Sequence, residues 1–127
     1  VLSTLHTSSA VKTIDRIIDV FPAGQKSHIR SMLSESLLAV IAQKLIQNKN
    51  KNGRVPACEI MIANSAVRNL IREDKIYQIP SLIQGGSQDG MQTLDQDLQR
   101  LLHQGLIERS EAIKVAENTD VFEKGVF

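Results

Sequence analysis

The sequence predicts an α/β domain, and three patterns lead to this expectation. The chain opens with a short apolar run, Val1–Leu5, that is typical of a strand in the middle of a parallel sheet. Apolar residues then recur at helical spacing, and two β-rich runs flank an Asn-Gly pair further along. Since a single strand cannot stand alone, we expect the chain to be the second part of a larger α/β unit.

Composition limits the classes of function open to the 127 residues. The 15 basic and 14 acidic residues leave a net charge of +1, which favours neither a nucleic-acid nor a membrane partner. No apolar run reaches the roughly 20 residues that span a bilayer. The single cysteine, Cys58, excludes an internal disulfide, and the three histidines show no zinc-ligand spacing. No metal site is therefore predicted.

The first predicted strand ends at His6, directly before a helix. Thr7, Ser8 or Ser9 can cap that helix, and Pro22 ends it. A second helix follows Gly24. In open α/β sheets, ligands bind at strand ends and anions bind at helix N-termini, so His6 is a candidate ligand-binding residue.

A β-hairpin is predicted from the runs Leu37–Gln47 and Val55–Ala63. Asn52-Gly53 is expected to form its turn because both residues tolerate positive φ. Pro56 indicates an edge position, since proline cannot donate to a β-ladder. Glu59, in the second strand, is expected to face solvent.

The second half of the chain is predicted to be helical. Asn64 or Ser65 can cap a helix with a narrow apolar stripe, and Arg68 and Arg72 are expected to lie outside that stripe. Further helices are expected at Lys75–Gln84, after a capping box formed by Thr93 and Gln96, and at Ser110–Glu117. We divide the chain into residues 1–63, the α/β part, and residues 64–127, a helical subdomain.

Four stretches resemble, in the same order, the PilT family of type IV pilus retraction ATPases. The first, TLHTSSAVKTIDRIIDVFP (Thr4–Pro22), is similar to the His box of the family. The others are MLSESLLAVIAQKL (Met32–Leu45), AVRNLIRE (Ala66–Glu73) and DGMQTLDQDLQRLL (Asp89–Leu102). The resemblance implies a RecA-like P-loop NTPase fold, with this chain as its carboxyl-terminal portion, following the Walker A and Walker B motifs.

The resemblance also implies a function. The family consists of hexameric motors that use ATP and Mg²⁺ to pull pilin subunits out of the pilus. They work at the cytoplasmic face of the bacterial inner membrane, against a platform protein. His6 would then sense the γ-phosphate, and Thr4 and Thr7 would lie beside the nucleotide. The stretch associated with retraction comprises Ala66, Val67, Arg68, Asn69, Leu70, Ile71, Arg72 and Glu73.

Two features separate this chain from a complete motor of that kind. The sequence contains no G-x-x-x-x-G-K-[ST], so the chain alone is expected neither to bind nor to hydrolyse ATP. The family also commonly has Asn where this chain has Ser8. It commonly has Arg-Gly or Arg-Ala where this chain has Leu38-Ala39.

Two other functions compete with that of a motor. A small non-enzymatic helical adaptor is the alternative, since AVRNLIRE offers a mixed charged surface for a partner. A helix-turn-helix DNA reader is disfavoured because Glu108, Glu111 and Glu117 offset Arg109 and Lys114 in its second helix.

Overall fold

The computed structural model describes residues 1–123, in which seven α-helices accompany one two-stranded antiparallel sheet. Two helices precede the hairpin and five follow it. In chain order the elements are α1 (Ala10–Asp19), α2 (Lys26–Ser36), β1 (Ala39–Gln47), β2 (Arg54–Ile62), α3 (Ser65–Arg72), α4 (Ile79–Gln84), α5 (Leu94–His103), α6 (Arg109–Val115) and α7 (Asp120–Glu123).

The predicted strand Val1–Leu5 is not formed. Residues 1–7 have no regular secondary structure, and the side chains of Leu2 and Leu5 are exposed. An extended segment becomes a strand only through hydrogen bonds to a neighbouring strand. Among residues 1–123, the sheet contains β1 and β2 alone, so the apolar run has no ladder to join.

The hairpin lies where it was predicted, but its turn differs. Asn52 and Gly53 do not adopt positive φ; Lys51 does, at 58°. The side chain of Asn48 accepts a hydrogen bond from the Asn52 backbone N–H at 3.1 Å and donates to the Asn52 side chain at 2.7 Å. A longer loop of residues 48–53, held by this asparagine pair, therefore replaces the predicted two-residue turn.

The outer edge of β2 is covered by α5 and the segment before it. Ile60 and Gln92 exchange both backbone hydrogen bonds, at 2.9 and 3.1 Å. The Cys58 N–H donates to the Asp97 carboxylate at 2.8 Å. Pro56 lies on the same edge, where it has no N–H to satisfy, and its predicted edge position is confirmed.

Replacing Asp97 by alanine is expected to lower the free energy of unfolding by about 1.5–3 kcal/mol. Asp97 is 3% exposed and also binds Arg100 Nε at 2.7 Å. Its loss leaves the Cys58 N–H without an acceptor in a partly buried place. Urea denaturation measures the change, with Asp15→Ala, an exposed aspartate on α1, as the control. An equal loss in both variants would contradict this role.

Two clusters of buried apolar side chains form the core. The first joins α1, α3, α4 and the sheet around Ile14 and Ile71. The second joins the hairpin to α5, α6 and α7 around Leu98 and Phe122. The first cluster contains residues from both predicted domains. The division into residues 1–63 and 64–127, of which 124–127 lie outside the described part, stays a prediction.

Helix ends follow the predicted capping pattern. Ser9 caps α1, Asn64 caps α3, and Thr93 with Gln96 forms a reciprocal capping box at α5. The predicted helix Lys75–Gln84 differs, because it starts as a 3₁₀ turn and is α-helical only over α4. Pro80 stands in the first turn of α4, where a missing N–H costs no helical hydrogen bond.

Candidate functional site

The first candidate site is the loop of residues 4–9, named here the His-box loop. Thr4 and His6 are exposed, and Thr7 is partly buried. The His6 carbonyl oxygen accepts a hydrogen bond from Arg16 Nη1 at 2.8 Å, and the Thr7 hydroxyl bonds the Thr13 hydroxyl. These contacts fasten the loop to α1 and leave the imidazole of His6 accessible to solvent.

An open groove of about 760 Å³ runs beside this loop. Lys12 Nζ lies in it and donates to Ser8 Oγ at 3.2 Å. The groove contains two cationic side chains, those of Lys12 and Arg16, beside the His6 imidazole and the hydroxyl groups of the loop, and these groups together can hold a phosphate. Two aspartates also line the groove. The lining residues are Leu5, His6, Thr7, Ser8, Lys12, Asp15, Arg16, Asp19 and Gln43. The structure thus brings His6 and Thr7 to one groove and leaves Thr4 outside its lining.

The N-terminus of α1 is taken by a carboxylate of the chain itself. Glu59 Oε1 accepts the Ala10 N–H at 2.8 Å. The expectation that Glu59 faces solvent is wrong, because its register opposite Ala42 places it on the side of the sheet that packs against α1. Because the positive end of the helix already holds a negative charge, an anion near His6 depends on side chains rather than on the helix dipole.

Burial raises the pKa of the Glu59 carboxyl above its ordinary value. The backbone N–H of Ala10 opposes this rise, while the carboxylates of Glu117 and Asp95 add to it. Asp95 in turn accepts the backbone N–H groups of Glu117 and Asn118 at 2.8 and 2.9 Å. The three acids line one pocket where β2, α1 and α5 come together.

The environment of Cys58 is that of a structural cysteine. Burial raises the pKa of its thiol, and the carboxylate of Asp97 acts in the same direction. A raised pKa lowers the thiolate fraction that a nucleophile needs. Within residues 1–123, no group of three or more His, Cys, Asp or Glu side chains is arranged to hold a metal ion.

The second candidate site, Ala66–Glu73, forms nearly all of α3 together with its C-cap. Val67 and Ile71 are fully buried. Ala66, Asn69 and Arg72 are exposed on the helix, and Arg72 Nη1 donates to Asn69 Oδ1 at 2.9 Å. The helix thus presents an exposed row, named here the α3 row and consisting of these three residues, on an apolar base, and Asn69 and Arg72 supply its polar groups.

Arg68 lies outside the apolar stripe but is not a free surface cation. Its Nη1 donates to the carbonyl oxygens of Ser34 and Glu35, at 2.6 and 2.9 Å. These carbonyls belong to the last turn of α2, where the backbone lacks helical donors and a cation is stabilising. Arg68 therefore fastens α3 to α2. Sequence spacing showed only that this residue leaves the stripe, and gave no signal for the contact.

No helix among residues 1–123 has the length and apolar character needed to cross a membrane.

Known proteins similar to this chain are found both by sequence and by structure. The model of the type II/IV secretion system protein family matches residues 1–114. A twitching motility protein of Neisseria gonorrhoeae is 59% identical over 120 residues, which covers 94% of this chain and 32% of that protein. The type IV pilus retraction ATPase PilT of Pseudomonas aeruginosa is 58% identical over 121 residues, which covers 93% of this chain and 35% of that protein.

Solved structures extend the likeness to the fold. The crystal structure of the pilus retraction motor PilT with bound ADP matches with a TM-score of 0.81 and 41% identity, over 94% of this chain and 33% of that chain. The Legionella pneumophila ATPase DotB matches with a TM-score of 0.71 over 87% of this chain and 30% of that chain. At 21% identity, the second match shows the fold alone.

The chain spans about a third of the length of these relatives. The predicted fold class, the carboxyl-terminal portion of an α/β ATPase, is confirmed, and so is the resemblance to retraction ATPases. The chain belongs to the type II/IV secretion system protein family, and the pilus retraction ATPases are among its close relatives.

Proposed function

We propose that this chain is part of a hexameric motor ATPase that powers type IV pilus retraction and twitching motility. The observation that carries the proposal is the 59% identity to a twitching motility protein over nearly the whole chain. The groove beside His6 and the α3 row support it. In the motor, the chain supplies a phosphate-sensing loop and an output helix, and it acts in the cytoplasm against an inner-membrane platform protein.

The proposed role of the His-box loop follows from how phosphoryl transfer is catalysed. Enzymes of this class act mainly by positioning the phosphates and stabilising their charge. The imidazole of His6 donates a hydrogen bond to the γ-phosphate, Lys12 adds a positive charge, and Thr7 holds the loop through its bond to Thr13. Mg²⁺ bound with the nucleotide would neutralise charge on the phosphates. The Walker A lysine is absent from this sequence, so hydrolysis requires the rest of the motor.

Measuring inorganic phosphate release tests this division of labour. The full-length protein is expected to hydrolyse ATP, and this chain alone is expected to release no phosphate above a protein-free baseline. A full-length protein without activity would favour the alternative, a non-enzymatic helical adaptor that binds a partner through the α3 row. Hydrolysis by the chain alone that is lost in His6→Ala would overturn the division.

In the full-length motor, Arg72→Ala is expected to leave ATP hydrolysis unchanged and to impair pilus retraction. Arg72 is exposed and bonds only Asn69 within the described structure, so its loss alters the α3 row without disturbing the core. Twitching-zone diameter and phosphate release measure the two effects. Arg54→Ala, on the exposed hairpin, is the matched control and should leave both unchanged.

Arg68→Ala tests whether Arg68 is a structural residue, in contrast to Arg72, which is proposed to contact the partner. It is expected to lower the free energy of unfolding by about 1–2 kcal/mol, because the Ser34 and Glu35 carbonyls lose their donor.

For Arg72→Ala, a loss of ATPase activity in proportion to the loss of motility would contradict the proposed separation of output from hydrolysis.

A further inference from the structure

We propose that Glu59 is the positioning residue that sets the His-box loop in its working place through the N-terminus of α1. The proposal rests on the proposed function, in which His6 of that loop contacts the nucleotide. The contact that carries it is the 2.8 Å hydrogen bond from the Ala10 N–H to Glu59 Oε1, which joins residues 49 positions apart.

Glu59 extends from a part of β2 that is held on both sides. Its neighbours are tied to α5 and the preceding segment, Cys58 through Asp97 and Ile60 through Gln92. On the other side of the strand, β2 pairs with β1 along its full length. The carboxylate therefore starts from a backbone with little freedom to move.

Ala10 is bonded to β2 and directly follows the His-box loop in the chain. It is the first residue of α1 and is fully buried, and its N–H has no acceptor within its own helix. Ser9 already accepts from the N–H of Lys12. The Glu59 carboxylate is thus the contact that satisfies the Ala10 donor and locates the first turn of α1.

Hydrogen bonds between α1 and the His-box loop make the position of His6 depend on the position of α1. Arg16, in the second turn of α1, donates a hydrogen bond to the His6 carbonyl oxygen at 2.8 Å, and the Thr13 hydroxyl bonds the Thr7 hydroxyl. A shift of the first turn therefore moves the imidazole relative to any phosphate in the groove. A misplacement of about 1 Å in a catalytic constellation can lower the rate about 100-fold.

The same strand continues towards the output helix. β2 ends at Ile62, and Asn64 caps α3 by accepting the Val67 N–H at 2.9 Å. One strand thus bonds the N-terminus of α1, directly after the His-box loop, through Glu59 and leads into the helix proposed to contact the partner.

Three variants of the full-length protein test the proposal. Glu59→Ala removes the acceptor, and Glu59→Gln retains an oxygen that accepts the Ala10 N–H without the charge. Glu117→Gln changes a neighbouring acid whose side chain makes no bond to α1, and it is the matched control. The measurements are kcat and KM for ATP, thermal unfolding, and hydrogen exchange of the backbone amides of residues 8–12.

Glu59→Ala is expected to lower kcat about tenfold, with KM changed less than about threefold, and to speed amide exchange at residues 8–12. Glu59→Gln is expected to restore both, and Glu117→Gln should resemble the wild type. A folded Glu59→Ala protein with wild-type kcat and exchange would overturn the proposal. So would a Glu59→Gln protein as defective as Glu59→Ala, since the hydrogen bond would then not be the cause.

Ala10→Pro tests the same bond from the donor side. It removes the N–H at a first helical position, where proline fits, and Ser9 before it already has an extended backbone. If Glu59→Ala fails to fold, a folded Ala10→Pro protein with wild-type kcat and exchange overturns the proposal. If the wild type hydrolyses no ATP, the proposed function fails, and the exchange at residues 8–12 still decides whether Glu59 positions the loop.

Discussion

Phe122→Ala is expected to destabilise the protein by about 3–5 kcal/mol. The Phe122 ring is 0% exposed and lies in the second core cluster, although it belongs to α7, a helix of four residues. Truncation to alanine removes the apolar surface of the ring and leaves a cavity that the surrounding helices fill only in part. The free energy of unfolding, measured in urea, reports the loss.

Phe21→Ala is the matched control for this change. Its ring is 37% exposed and stands just beyond the end of α1, so a smaller loss, of about 1 kcal/mol, is expected. Equal losses in the two variants would mean that α7 does not stabilise the core. The expected difference would make the segment after α6 part of the folded domain rather than an appended tail.

If the proposed function holds, His6→Ala in the full-length protein is expected to lower kcat for ATP hydrolysis about 100-fold while leaving stability unchanged. The size follows from removing one hydrogen-bond donor to developing charge in an organised site. Stability should be unaffected because the His6 side chain is exposed and only its backbone carbonyl is bonded, to Arg16. Steady-state phosphate release and thermal unfolding measure the two quantities.

His28→Ala controls for the loss of an imidazole as such. His28 is also exposed but lies on α2, outside the lining of the groove beside the His-box loop. It should retain wild-type kcat. A His6→Ala motor with unchanged kcat would remove His6 from the chemistry, and one that failed to fold would show that the loop is structural.

Features with local causes were predicted well. Ser9, Asn64 and Thr93 cap the helices that follow them, because a cap needs only a side-chain oxygen within reach of backbone amides two or three residues ahead. The helical face of α1 and the edge position of Pro56 are likewise consequences of spacing and residue type. The turn at residues 48–53 was missed because the Asn48 side chain stabilises a longer loop than the Asn-Gly pair favours.

Contacts between residues far apart in the sequence were not predicted, or were predicted only in part. The sequence predicts a solvent-facing Glu59, because neither the residue type nor its position in the strand indicates that the N-terminus of α1 packs against it. Asp97 had no predicted role, yet it is buried and bonds the edge of β2. Arg68 was predicted to leave the apolar stripe, but its bond to the end of α2 joins residues more than thirty positions apart.

Most helices, both hairpin strands, their caps and the family resemblance follow from the sequence alone, because these depend on short-range spacing and on ordered motifs. The strand predicted at Val1–Leu5 does not form, because a strand also needs a neighbouring strand to pair with. Tertiary structure decided which polar side chains act across the fold. The N–H of Ala10 and the carbonyls of Ser34 and Glu35 are left unsatisfied by their own helices, and burying such groups unpaired costs free energy. Glu59 and Arg68 satisfy them because packing brings β2 against α1 and α3 against α2.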